Sequence, residues 1–362
     1  MATPTNQSSE KKSPSQNSQE KKPEKKKISL ALQGGGSHGA FTWGVLDALL
    51  EQKDLEIEGV SGTSAGAMNA ISIVQGLVKN GNQGARESLK MFWDTLGEQG
   101  AMSPLQFNPF EKLTKKFSLS SNPFFHMMNF VGQMFSPYQL NPLNIHPMRE
   151  MVEKLFDFKL IQSNSKYKLF LCATHIATGK LHIFKTDEID VQRLLASACV
   201  PQLFQAIEVN GEFYWDGGFI GNPAIYPLIN GCESPDIVVI QIRRVYSHGV
   251  PTTVREINNR LGEITQNSCL TREFRAISFI TDLIEQGVIP KDKLKKLNMH
   301  LIRDDAFFGS LDRETGFSAD PDFIAYLFEQ GRQCAKKWIK ENYEFIGKKT
   351  TVSMERDFVN ED

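Results

Sequence analysis

Apolar positions in this chain alternate between short runs and longer one-sided stripes. Ile28, Leu30 and Leu32 form a short run that predicts a β-strand over residues 28–32. It opens into Gln33-Gly34-Gly35-Gly36-Ser37-His38-Gly39. Residues 40–52 then read as a helix, with Val45, Leu46, Leu49 and Leu50 on one face. The same order returns at once. Leu55, Ile57 and Val60 mark a second strand over residues 55–61, followed by Gly62-Thr63-Ser64-Ala65-Gly66 and a helix from residue 65 to about 78. Two strand–glycine turn–helix units in succession predict a parallel sheet with helices on its faces.

The pattern loosens over residues 80–150, where only residues 86–96 look helical. Residues 107–143 are rich in Phe, Met, Asn and Pro. A long irregular segment of this kind reads either as an apolar lid over a binding site or as a core-packing insertion. Order then returns with a helix over 147–156 and a hairpin of 167–175 and 180–184. A short helix follows over 191–199. A second hairpin, 207–209 with 212–215, closes on Asn210-Gly211, a type I′ signal. Asp216-Gly217-Gly218 follows it directly. Beyond lie an apolar strand over 236–243, helix over 253–285, a last strand over 299–302 and a closing helix over 321–343. That last helix keeps Ile324, Leu327, Phe328 and Trp338 on one side.

Composition narrows the class. With 362 residues, 40% hydrophobic and 23% charged, the chain has the make-up of a soluble globular protein with a sizeable core. A net charge of -1 argues against a nucleic-acid binder. The five cysteines (172, 199, 232, 269, 334) are scattered and show no metal-ligand spacing, so reduced thiols and no metal site are expected. No apolar run of about eighteen residues and no secretory h-region stand out, so a cytoplasmic protein is expected, with at most peripheral contact with membranes. Residues 1–27 hold seven lysines against three glutamates and almost nothing apolar. They read as a disordered, solvated tail, with attraction to anionic lipid as the sharper alternative. The organisation expected is this tail, a core over 28–245 and a mostly helical region over 246–362.

The chemistry centres on residues 62–66. Gly-x-Ser-x-Gly between a strand and a helix is the setting of a nucleophile elbow, in which a tight turn lifts the serine hydroxyl clear beside a helix N-terminus. Ser64 then needs a base and donors for a developing oxyanion. The backbone N–H groups of Gly34, Gly35 and Gly36, at the end of the neighbouring strand, can supply the donors. The same glycines also fit a dinucleotide loop, G-x-G-x-x-G. The second strand, however, ends in the serine turn where that reading needs an acidic residue for ribose, and Asp54, Glu56 and Glu58 lie too early.

Taken together, the Gln33–Ala40 loop, Gly62-Thr63-Ser64-Ala65-Gly66, Ala196-Ser197-Ala198-Cys199-Val200-Pro201 and Asp216-Gly217-Gly218 resemble the patatin-like phospholipase family, in family order. The resemblance implies a three-layer α/β/α fold with a mainly parallel central sheet. It implies hydrolysis of phospholipid or other fatty-acyl esters at a lipid surface, without cofactor or metal. Its catalytic residues would be a Ser64–Asp216 dyad, with Gly34, Gly35 and Gly36 as the oxyanion hole. Position 38, usually Arg or Lys in the family, is histidine here, so His38 is either an auxiliary cation or a structural residue. Two alternatives stay open. A Ser…Asp…His triad could use His248 or His300, and a protein of the same fold could carry lipid without cutting it.

Overall fold

The computed structural model describes residues 25–247, 249–290 and 292–359. Among them eight strands join one sheet: β1 (Lys26–Leu32), β2 (Leu55–Gly62), β3 (Lys168–His175), β4 (Lys180–Lys185), β5 (Ile207–Val209), β6 (Glu212–Asp216), β7 (Asp236–Ile240) and β8 (Asn298–Ile302). β3, β2, β1, β7 and β8 lie side by side and parallel. β4 and β6 run antiparallel to β3, and β5 pairs with β6.

The central strands show why this sheet is buried on both sides. Every residue of β7 is buried, as are the last five of β1. Side chains alternate between the two faces of a strand. Ile28, Leu30, Leu32, Val238 and Ile240 enter one apolar cluster with helix α1 (Gly39–Leu50), helix α2 (Ala65–Gly100) and the Pro321–Asn342 helix. Ala31, Ile237, Val239 and Met299 enter another with Leu228 of the Tyr226–Gly231 helix and Leu270, Phe274 and Ile277 of the Val254–Glu285 helix. Helices therefore cover both faces, and the expected three layers are present. No described helix is long and apolar enough to cross a membrane.

Several boundaries differ from the pattern. β1 starts at Lys26 rather than Ile28, because the flanking lysines have partners: Lys27 pairs with Glu58 and Glu233, and the Lys26 amine reaches the Tyr343 carbonyl at 2.8 Å. The rest of the lysine-rich tail lies outside the described residues, up to residue 24. The two helices expected before residue 100 run on as α2, broken at Asn80 (φ -155°) and Gly81 (φ 58°). The Asn210-Gly211 turn has positive φ at both residues, 55° and 84°, as type I′ requires.

Residues 107–143 hold three short helices, Pro109–Thr114, Pro123–Met134 and Pro137–Leu140. Each starts with Asn or Ser followed by Pro, the residues that cap and open a helix. Phe107 packs edge-on and Phe117 tilted against Phe323 at ring distances of 5.0 and 4.8 Å, which ties one side of the segment to the core. Its other side leaves Phe110, Leu113, Met127, Phe130 and Met134 exposed. The segment thus buries one set of aromatic side chains in the core and leaves another set of apolar side chains exposed.

Candidate active site

Ser64 sits between the last residue of β2 and the first of α2 with φ 56° and ψ -122°. A serine held at positive φ costs on the order of 1–3 kcal/mol, and such strain persists only where neighbours impose it. The neighbours are close. A Cβ on Gly62 would come within 2.3 Å of the Gly66 carbonyl oxygen, and one on Gly66 within 2.2 Å of the Leu32 oxygen on β1. Only glycine fits at either place. The Ser64 N–H donates to both the carbonyl (3.1 Å) and the hydroxyl (3.2 Å) of Ser197. Thr63 Oγ1 donates to the Gly221 carbonyl at 2.6 Å.

Asp216 reaches Ser64 through strand pairing. β4 occupies one edge of β3 without interruption from Phe170 to His175. The other edge is shared: β2 takes Lys168 to Leu171 and ends at Gly62, while β6 comes from the opposite direction, takes Ala173 to His175 and ends at Asp216. Two strands thus meet head to head along one edge. The turn after β2 presents Ser64 there, and the end of β6 presents Asp216. The Asp216 N–H donates to the Cys199 carbonyl at 2.7 Å, and Thr174 Oγ1 donates to the Asp216 carbonyl at 2.8 Å, so the backbone is fixed on both sides.

The Asp216 side chain is buried, and burial pushes its pKa up to about 6. Two contacts oppose that rise. The Ser64 hydroxyl lies close enough to favour the carboxylate, in a contact looser than a fully formed hydrogen bond, and the Gly218 N–H donates to Oδ1 at 2.7 Å. An unpaired carboxylate with a pKa near neutrality beside a serine hydroxyl is the electrostatic setting of a general base.

The glycine loop lies against this pair. A Cβ on Gly34 would come within 2.8 Å of the Ser64 Cβ. The three amides are not equivalent. Gly34 N–H donates to Asn222 Oδ1 at 2.6 Å, and Asn222 Nδ2 donates back to the Gly34 carbonyl at 3.3 Å. The expectation of three oxyanion donors is corrected here, because the Gly34 N–H is already spent on a buried asparagine. Among the described residues no acceptor takes the N–H of Gly35 or Gly36. Gly35 is half-buried and Gly36 exposed.

The histidines fall elsewhere. His38 is buried and accepts at Nδ1 from Arg243 Nη1 at 2.8 Å, since a guanidinium can only donate. Its Nε2–H therefore donates to Thr315 Oγ1, also at 2.8 Å. Burial and the Arg243 charge hold its pKa well below the ordinary value, so the ring is neutral. Arg243 sets a positive charge beside the loop, donating also to the Gly35 carbonyl at 3.3 Å. His300 lies on β8, with β7 and β1 between it and β2. It is bonded to Asp236 Oδ1 and Thr351 Oγ1 at 2.9 Å each. His248 lies outside the described residues. Glu58, the acidic residue nearest a ribose-binding role, accepts the backbone N–H groups of Glu233 and Ser234 at 2.7 and 2.8 Å. Two contributors, Asn222 and Arg243, carried no sequence signal, and Ser197, within the 196–201 element, had no role assigned to it; all three reach the site through bonds that exist only once the sheet is formed.

The family model for patatin-like phospholipase matches residues 30–229. No curated protein sequence matches the chain. Among solved structures, VipD from Legionella pneumophila is similar at 15% identity and a TM-score of 0.35, over 85% of this chain and 67% of that one. A chain of the heterodimeric ExoU–SpcU complex of the Pseudomonas aeruginosa type III secretion system is similar at 14% identity and a TM-score of 0.31, over 86% of this chain. The present chain covers 52% of that chain's length.

Proposed function

Because the chain belongs to the patatin-like phospholipase family, a family of lipid acyl hydrolases, we propose that it cleaves fatty-acyl esters with Ser64 as nucleophile and Asp216 as its base. The observation that carries this reading is the meeting of β2 and β6 on one edge of β3, which sets a strained serine beside a buried carboxylate with a pKa of about 6.

In the first half-reaction Asp216 takes the Ser64 proton as Oγ attacks the ester carbonyl. The carbonyl π electrons move onto oxygen, and the Gly35 and Gly36 N–H groups receive that oxyanion. Collapse breaks the bond to the alcohol, which leaves with the proton held by Asp216, and an acyl-Ser64 ester remains. Water then attacks this ester with Asp216 again as base. The second tetrahedral species releases the fatty acid and returns the proton to Ser64. The positive end of α2 lies at Ser64 and favours negative charge there.

His300 is committed to Asp236 and Thr351, so a triad through it would break one buried and one partly buried bond. Phe219 and Ile220, just after Asp216, and Phe317, beside the Gly316 that abuts Gly36, are exposed. They give the rim of the site an apolar edge suited to acyl chains, and phospholipid at a membrane surface is the substrate we assign. A fluorophosphonate probe should label the native protein and not Ser64→Ala, and fatty acid should appear from phospholipid vesicles only with native protein. Native protein that is neither labelled nor releases fatty acid would leave a lipid carrier as the better reading.

A further inference from the structure

We propose that Arg243 is a positioning residue for this hydrolysis, holding the Gly35–Gly36 peptide so that its N–H faces the oxyanion and placing positive charge behind it. The inference rests on the reading of Ser64 and Asp216 as the catalytic pair.

Arg243 lies just beyond β7 and is almost fully buried. Its guanidinium spreads over three acceptors: Gln266 Oε1 from Nε at 2.8 Å, His38 Nδ1 from Nη1 at 2.8 Å and the Gly35 carbonyl from Nη2 at 3.3 Å. A Cβ built on Gly35 would come within 2.9 Å of that same Nη2, so loop and cation are in direct contact. In a planar trans peptide the carbonyl and the next N–H point in opposite directions. Drawing the Gly35 carbonyl toward Arg243 therefore turns the Gly36 N–H away from it. Asn222 does the same for the preceding peptide by holding the Gly34 carbonyl, which turns out the Gly35 N–H. The two amides so aimed are the two that no described residue accepts.

The charge is as telling as the geometry. All three acceptors of Arg243 are neutral. The nearby carboxylate, Glu263, is held by Arg244 at 2.7 Å and by Arg260 at 3.2 Å, while Arg313 adds like charge. Burial lowers the Arg243 pKa only to about 10, so it stays charged at neutral pH. A buried cation that pairs with no carboxylate of its own is costly in the resting protein and is matched when an anion forms nearby. The oxyanion on the glycine loop is such an anion, present in the transition state and absent from the ground state.

The test uses the whole protein and a soluble ester, p-nitrophenyl butyrate, with two variants, Arg243→Met and Arg243→Lys. Cooperative thermal unfolding establishes that each is folded. In Arg243→Met kcat should fall about a hundredfold, near the lower end of the loss from deleting one oxyanion donor, while KM stays within about twofold. A trifluoromethyl ketone, which adds Ser64 and presents an alkoxide to the loop, should lose affinity in the same proportion, and inhibition by free fatty acid should not change. Arg243→Lys keeps charge but not the fork, and should fall between native and Arg243→Met. If Arg243→Met does not fold, Arg243→Lys decides on the same readouts. Folded variants that keep kcat and ketone affinity within about threefold would overturn the proposal, as would equal losses in kcat, KM and fatty-acid affinity. A native enzyme that depends on Ser64 but ignores Arg243 refutes this proposal alone. Native protein without Ser64-dependent hydrolysis refutes the catalytic reading and this one with it.

Discussion

At the scale of single residues, Asp216 carries two pH predictions with different signs. As a base it works only when ionised, so with a pKa of about 6 the value of kcat/KM should be level above pH 7 and fall about tenfold per unit below pH 6. A profile that stays flat to pH 5 would remove it from the mechanism. Stability runs the other way. A carboxyl whose folded pKa is raised from 3.8 to about 6 costs nothing below pH 4. The cost grows as pH rises through that window and is constant above it. An asparagine in its place keeps an oxygen for the Gly218 N–H and loses the buried charge. Asp216→Asn should therefore be inactive yet more stable than native at pH 7, by on the order of 1–3 kcal/mol, and the gap should close by pH 4. Urea unfolding at the two pH values measures both ends. His300 gives the contrasting case. His300→Ala strips two bonds from a buried corner of β7 and β8, and should lower stability by about 1–3 kcal/mol while the folded fraction keeps native kcat. A loss of kcat matching that of Ser64→Ala would restore the triad.

At the scale of elements, the site is three connections meeting: the β1–α1 loop, the β2–α2 turn and the stretch after β6. Asn222 stitches the third to the first, and Thr63 stitches the second to the third. Asn222→Ala should free the Gly34 peptide and lower kcat about ten- to a hundredfold, with a smaller effect on KM, and stopped-flow turnover of a p-nitrophenyl ester would measure it. Gly34→Ala is harsher. Its Cβ would meet the Thr63 carbonyl oxygen at 2.4 Å, a backbone atom with no room to yield. Ser64-dependent probe labelling should vanish even if the protein folds. These elements also mark how far the sequence could be read. The strand, turn and helix around Ser64 have a local signature, because the turn is tight enough that Gly62 meets the Gly66 carbonyl, although Gly66 also answers to Leu32 on β1. So does the Asn210-Gly211 hairpin, whereas the three short helices of 107–143 went unread, because their apolar positions show no clear stripe and only the Asn-Pro and Ser-Pro starts mark them. That β2 and β6 share an edge of β3 has no local cause. It follows from register across strands far apart in sequence, where shifting one strand by a residue turns its side chains to the other face. The neutral state of His38 likewise depends on its burial in the finished core and on Arg243, 205 residues away. Motifs therefore named Ser64, Asp216 and the glycine loop, whereas the inequality among the three glycine amides came only with tertiary structure.

At the scale of the whole molecule, the proposed lipid substrate turns attention to the outer surface of residues 107–143. The Pro123–Met134 helix has no Asp, Glu, Lys or Arg. Met127, Phe130 and Met134 are 53%, 66% and 63% exposed, and their spacing of three and four places them along one face. Its other side is anchored, with Phe125 buried in the core. The chain just beyond leans on the strip between the Val191–Ser197 helix and β5. Tyr138 accepts the Ala206 N–H, Gln205 donates to the Asn141 carbonyl, and His146 stacks on Phe204. On the proposed reading of a phospholipid substrate, this exposed apolar face would enter the headgroup boundary of a bilayer and bring the site with it. Such binding grows with the apolar area buried, at about 25 cal/mol per Å². The double variant Phe130→Glu/Met134→Glu should bind phosphatidylcholine vesicles at least about tenfold more weakly in flotation assays, with hydrolysis of vesicle phospholipid falling in step. Hydrolysis of p-nitrophenyl butyrate in solution should be unchanged, since neither side chain belongs to the catalytic arrangement. Equal losses on soluble and vesicle substrates would make the helix a support of the fold. Undiminished vesicle binding would shift the docking surface to Phe219, Ile220 and Phe317 at the rim.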